Sequence, residues 1–114
     1  MTRSDGPDRH TVRIEADGRT LAEADIEPTE QPGVVRSDLH LASGPLPHDT
    51  GTRLVDAVLD DPDVTRAERL VATMPIGDTV MLDRVRQRSR GVEVRPAGAT
   101  KIVHARLRLV RPWP

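Results

Sequence analysis

Leu39-His40-Leu41-Ala42-Ser43-Gly44-Pro45-Leu46-Pro47-His48-Asp49-Thr50-Gly51-Thr52-Arg53-Leu54-Val55-Asp56-Ala57-Val58-Leu59 is the stretch on which the fold turns. Leu39 and Leu41 share a face at the spacing of a strand. Gly44, Pro45 and Pro47 stop it. Asp49 or Thr50 then caps a helix, because a short oxygen-bearing side chain satisfies the free amides of a first turn. Leu54, Val55, Val58 and Leu59 follow at helical spacing, with Asp56 and Asp60 outside. A helix start presents unpaired amides and the positive end of its dipole, so it can hold a phosphate. Glycine at position 51 lets an anion approach the backbone. The candidate binding residues are therefore His48, Asp49, Thr50, Gly51, Thr52 and Arg53.

Towards the C-terminus, Asp61-Pro62 ends the helix. Residues 65–74 carry two patterns. Thr65 and Glu68 match a capping box, and Ala67, Leu70, Val71 and Met74 form a helical stripe. The run Leu70-Val71-Ala72-Thr73-Met74, stopped by Pro75, equally reads as a buried strand. The local pattern leans to helix. Asp78 caps a second main helix, with Met81, Leu82 and Val85 inward and Gly91 as its stop. Val92 and Val94 begin a strand, Pro96-Ala97-Gly98 turns the chain, and a long last strand alternates from Ile102 to Leu109. Towards the N-terminus, residues 34–42 form a strand. Residues 11–27 form a hairpin around Asp17-Gly18, a dipeptide suited to tight turns. Residues 1–10 read as a disordered tail and 11–114 as a single domain.

Composition narrows the function classes. The chain has 114 residues, no cysteine, and Trp113 as its only aromatic residue. Disulfides, thiolate metal sites and cysteine nucleophiles are excluded, and no apolar run reaches a membrane span. A cytoplasmic address follows by default. The net charge is −1, but it is unevenly placed. Residues 1–63 hold 6 basic and 14 acidic side chains, whereas residues 64–114 hold 11 basic and 4 acidic. That polarity either sets a basic face against a partner or disperses over one surface.

Leu39-His40-Leu41, the loop after it, and Gly51 to Leu59 resemble the strand-loop-helix of the GNAT superfamily of N-acetyltransferases. In that family a (Gln/Arg)-x-x-Gly-x-(Gly/Ala) loop holds the pyrophosphate of acyl-CoA on its amides. The segment from Asp78 to Val92 is similar to the family's second helix and following strand. The resemblance implies an α/β (α+β) fold, with a mixed, mostly antiparallel sheet and two main helices in a three-layer-like arrangement. It assigns residues 69–74 to a strand. It also implies acetyl-CoA or CoA as the ligand of residues 48–53, with Arg53 reaching a phosphate.

The chain departs from the family pattern. With Gly51 on the last glycine, Asp49 falls on the first and Leu46 on the Gln/Arg. Asp49 brings a carboxylate towards the pyrophosphate, a repulsion of about 1 kcal/mol at contact in water. The tyrosine that protonates the leaving thiolate is absent, with Val85 near its place. Asp78 replaces an asparagine. The two acceptor-shaping helices have no room in a tight hairpin.

The expected role is a non-catalytic interaction or regulatory module, with an unidentified protein partner or a second copy paired through an exposed last strand. The alternatives are a divergent acyl-CoA-binding N-acetyltransferase, with Asp38, His40, His48 or His104 as base, and a nucleic-acid-binding module using Arg84, Arg86, Arg88 and Arg90. The histidines lack ligand spacing, so no metal is expected. With no aromatic side chains among those arginines, no nucleic-acid partner is expected either.

Overall fold

A computed structural model describes residues 9–108. The elements are β1 (His10–Ala16), β2 (Arg19–Pro28), β3 (Val34–Leu41), α1 (Thr50–Leu59), α2 (Pro62–Thr65), β4 (Arg69–Pro75), α3 (Val80–Arg88), β5 (Gly91–Ala97) and β6 (Thr100–Arg106). One six-stranded sheet runs in the order β1-β2-β3-β4-β6-β5. Only β3 and β4 pair in parallel; every other neighbouring pair is antiparallel.

The hairpin forms as its pattern demands. Asp17 and Gly18 both take positive φ, 53° and 77°, and so reverse the chain in two residues. A bulge lies opposite Ile14/Glu15, where Leu21 and Ala22 are both buried. His10 already belongs to β1, and Arg9 pairs with Glu27. The expected tail is therefore shorter by these two residues; its remainder, 1–8, lies outside the described residues, as does Leu109.

Residues 69–75 are strand, against the local helical pattern. The capping box at Thr65 and Glu68 does not form. The short α2 starts earlier, with Pro62 in its first turn and the Asp61 carboxylate accepting from the Asp63 amide at 3.0 Å. Leu70, Ala72 and Met74 alternate inward between β3 and β6. Three apolar residues at period two, with a partner strand on each side, outweigh a local preference for helix. Gly91 does not stop α3; it opens β5, and the helix ends at Ser89, whose Oγ donates to the Val85 carbonyl at 2.6 Å.

The sheet has two unlike faces. Ala22, Ala24 and Ile26 of β2, Val35 and Leu39 of β3, Leu70, Ala72 and Met74 of β4, and Val103 and Ala105 of β6 are buried on one face. Leu54, Val55 and Val58 of α1 and Met81 and Val85 of α3 close the same core. Each large aliphatic buried this way contributes about 1.5–3 kcal/mol. Both main helices thus share one face, giving two layers rather than the expected three. The other face carries Glu23, Asp25, Arg36 and Asp38 at alternate positions, with Val34, Val71 and Ile102 as a narrow apolar strip among them, and no described helix packs on it. Among the described residues, no helix is long and apolar enough to cross a membrane.

The last strand is not an edge. β6 lies between β4 and β5, and the edges are β1 and β5. Edge-to-edge pairing through β6, expected from sequence, is therefore closed off.

Candidate functional site

β3 and β4 pair in parallel from Val34↔Arg69 to Asp38↔Thr73. Beyond that register β3 continues along β2 to Leu41, and β4 continues along β6 to Pro75. The two strands part at their carboxyl ends, the place where open α/β sheets form a crevice. α1 follows β3 and α3 follows β4, so both helices begin at this crevice.

The six candidate residues come together at the start of α1. His48, Asp49 and Arg53 are exposed, Thr52 is half-buried, and Thr50 and Gly51 are buried. The Thr50 hydroxyl donates to the Pro47 carbonyl at 2.8 Å, and its amide reaches the same oxygen at 3.1 Å. The Asp49 carbonyl accepts from the Arg53 amide at 2.9 Å. The Asp49 carboxylate makes no capping bond, and Thr50 is the first helical residue with its hydroxyl turned back to Pro47, so neither expected cap forms. Among the described residues, no acceptor meets the amides of Gly51 and Thr52. These two donors, with the exposed guanidinium of Arg53, are what the site offers an anion.

Gly51 has a role that the sequence did not reveal. A Cβ at this position would lie 2.9 Å from Cγ of Met81 and 3.6 Å from Cγ1 of Val80. The glycine lets the first turns of α1 and α3 touch, so helix packing already accounts for it. Its spacing in the loop could not separate close helix approach from close ligand approach.

The start of α3 is closed. Asp78 Oδ2 accepts from the amides of Met81 at 2.9 Å and Leu82 at 3.3 Å. The buried ammonium of Lys101 donates to the Asp78 carbonyl and, at 3.3 Å, to that of Ile76. Read from sequence, Lys101 is the only lysine among 17 cationic side chains and carries no assigned role. A flexible, compact ammonium fits this buried corner better than a planar guanidinium.

Outside the crevice, Arg84 grips Asp56 with two bonds, at 2.8 and 3.1 Å, and Arg88 bridges Asp56 and Asp60 at 3.1 and 2.8 Å. The hydrogen bond from Arg84, ahead of that from Arg88, holds the Asp56 carboxyl below its ordinary range, against a smaller desolvation effect. Two of the four arginines in the expected nucleic-acid stripe are thus tied to α1. Val85 is in the core, 1% exposed. Asp38, His40 and His104 sit on the helix-free face; Asp38 accepts from the Thr73 hydroxyl at 2.6 Å. Of the candidate bases only His48 stands in the loop that leads into α1.

One group of metal-ligating side chains does assemble, from residues the sequence did not single out. His10, Asp61 and Asp63 bring donor atoms within 4.8 Å of one another. His10 Nε2 lies 2.6 Å from Asp61 Oδ1, and Asp61 also caps α2. The cluster pins edge strand β1 to the corner between α1 and α2.

No family model and no curated protein matches this chain. Solved structures do. The GNAT domain of S. lividans PAT superposes with a TM-score of 0.63 at 11% identity, over 93% of this chain and 65% of that one. A GNAT-family acetyltransferase from Streptococcus pneumoniae gives 0.63 at 10%, over 90% and 68%. yncA from Salmonella typhimurium, solved with its cofactor acetyl-CoA, gives 0.62 at 12%, over 88% and 64%. The chain spans about two thirds of the length of these structures. At such identities the likeness is one of fold: the chain has the GNAT-type, acyl-CoA N-acyltransferase-like fold.

Proposed function

We propose that this chain is a GNAT-fold module that acts by interaction or regulation and does not transfer acyl groups. The observation that carries the reading is the two-residue connection at Asp17-Gly18. It joins the first two strands with no helices between them to shape an acceptor site. The burial of Val85 supports the same reading, because an apolar side chain in the core cannot deliver a proton to a leaving thiolate. Purified protein with acetyl-CoA and a panel of small amines, polyamines and peptide amino termini should release no thiol above the blank. Release that saturates in both substrates overturns the proposal.

A second reading, a divergent acyl-CoA binder or N-acetyltransferase, has its own support. Gly51 and Thr52 present two amides without acceptors at the crevice, and Arg53 stands exposed beside them. Under it, acetyl-CoA and CoA at millimolar concentration raise the melting temperature by ligand linkage. Asp49→Gly enlarges the shift and Arg53→Glu removes it. A melting temperature that ligand leaves unmoved in all three proteins rejects binding at this site. Gly51 is a poor probe, because any side chain there also disturbs α3.

A further inference from the structure

The charge division between the two halves of the sequence reappears as geometry on the helix-free face. Cross-strand register places Arg13, Glu15, Glu23, Asp25, Glu27, Arg36 and Asp38 on the β1–β3 side of this face, with Arg9 beside them. The β4–β6–β5 side carries Arg69, Arg106, Arg95 and Glu93. One half therefore holds five carboxylates against three guanidiniums, and the other three guanidiniums against one carboxylate.

Internal pairing sharpens the contrast. Arg13 goes to Glu23, and Arg9 and Arg36 go to Glu27. Glu15, Asp25 and Asp38 are left without a cation among the described residues. Asp25 and Asp38 lie directly opposite one another, a like-charge arrangement that an isolated sheet face disfavours. On the other half, no carboxylate of the described residues pairs with Arg69, Arg95 or Arg106. Between the two halves run Val34, Val71 and Ile102, half-buried although no helix of the described residues covers them. A concavity of about 690 Å³ opens on this strip between Glu27, Gln31, Val34, Arg36 and Val71.

We infer that this face is the contact surface of a symmetric dimer, with a second copy of the chain as its occupant. A two-fold axis running along the strands near β3 and β4 sets the acidic half of each copy over the basic half of the other. A two-fold axis across the strands would stack like on like, so charge selects the first. Six strands about 4.8 Å apart and about seven residues long give a flat footprint of roughly 550 Å². Side-chain relief raises this towards the about 800 Å² per partner of a standard interface. The inference supplies a surface for the interaction role, and its test is independent of thiol release: a monomer leaves the absence of turnover untouched.

The test uses the full chain in sedimentation equilibrium at low and high salt. The expected result is a dimer that weakens about tenfold or more in high salt, because exposed charge pairs are screened. Glu15→Lys with Asp25→Lys makes both halves of the face net basic, and Arg95→Glu with Arg106→Glu makes both net acidic. Each variant alone should be monomeric where the parent dimerises, with an unchanged circular dichroism spectrum. Mixing the two should restore a one-to-one dimer. A parent that stays monomeric at high concentration in low salt overturns the inference. So does a dimer indifferent to either pair of substitutions, or a mixture that fails to associate.

Discussion

The two main helices begin at the same crevice and touch through their first turns, yet those turns are finished in opposite ways. At α3, Asp78 accepts two first-turn amides and Lys101 fixes the carbonyls of the approach loop. At α1, Asp49 stands in the capping position without capping, and the amides of Gly51 and Thr52 meet no acceptor. The difference separates two uses of one element. A closed start contributes only to stability, whereas an open one keeps its partial positive charge available for an anion. Neighbouring helix ends with the same sequence-level signature, an Asp just ahead of the first turn, can therefore differ in what they do.

The largest expected effect falls on the closed end. Lys101→Met removes the ammonium from two carbonyls in a buried corner and should cost about 2–3 kcal/mol in urea unfolding. A loss under half of that would mean that Asp78 closes the α3 start without help. Next comes the contact between the ends. Gly51→Ala gains about 1 kcal/mol of helix propensity but forces Met81, 0% exposed, to move. Overpacking of this kind costs typically 1–3 kcal/mol, so the variant should be destabilised by about 1 kcal/mol. A more stable variant would show that the helices can separate freely and that Gly51 is there for something else.

The capping contrast comes next. Asp78→Ala should lose about 1 kcal/mol, the usual worth of a working cap. Asp49→Ala should change unfolding by less than about 0.5 kcal/mol, as for surface positions without special contacts. Equal losses in the two variants would erase the distinction drawn here.

The smallest effect is in acid. Arg84 and Arg88 depress the folded-state pKa of Asp56. The stability from this pairing is complete above the unfolded-state pKa of about 4 and is lost as pH falls through the lower folded-state value. Asp56→Asn should therefore flatten the fall in melting temperature between neutral pH and acid. An unaltered pH profile would mean that these exposed pairs do not hold α1 to α3.

Much of the fold is legible in the chain because its signals are local. The alternation of Val12, Ile14, Ala22, Ala24 and Ile26 around Asp17-Gly18 defines the hairpin. The spacing of Leu54, Val55, Val58 and Leu59 after a Pro/Gly loop defines α1. Periodicity records which side of an element is apolar, and that is a property of the element alone. Tertiary structure decided what the local pattern left open, and at residues 69–74 it agrees with the strand implied by the family resemblance. Residues 69–75 became strand because β3 and β6 flank them. β6 became an inner strand because β5 lies outside it. Gly51 faces α3, and Lys101 folds onto the loop that precedes that helix. Each of these outcomes depends on which distant segment arrives alongside. Pairing between segments tens of residues apart leaves no mark in the local pattern of either one.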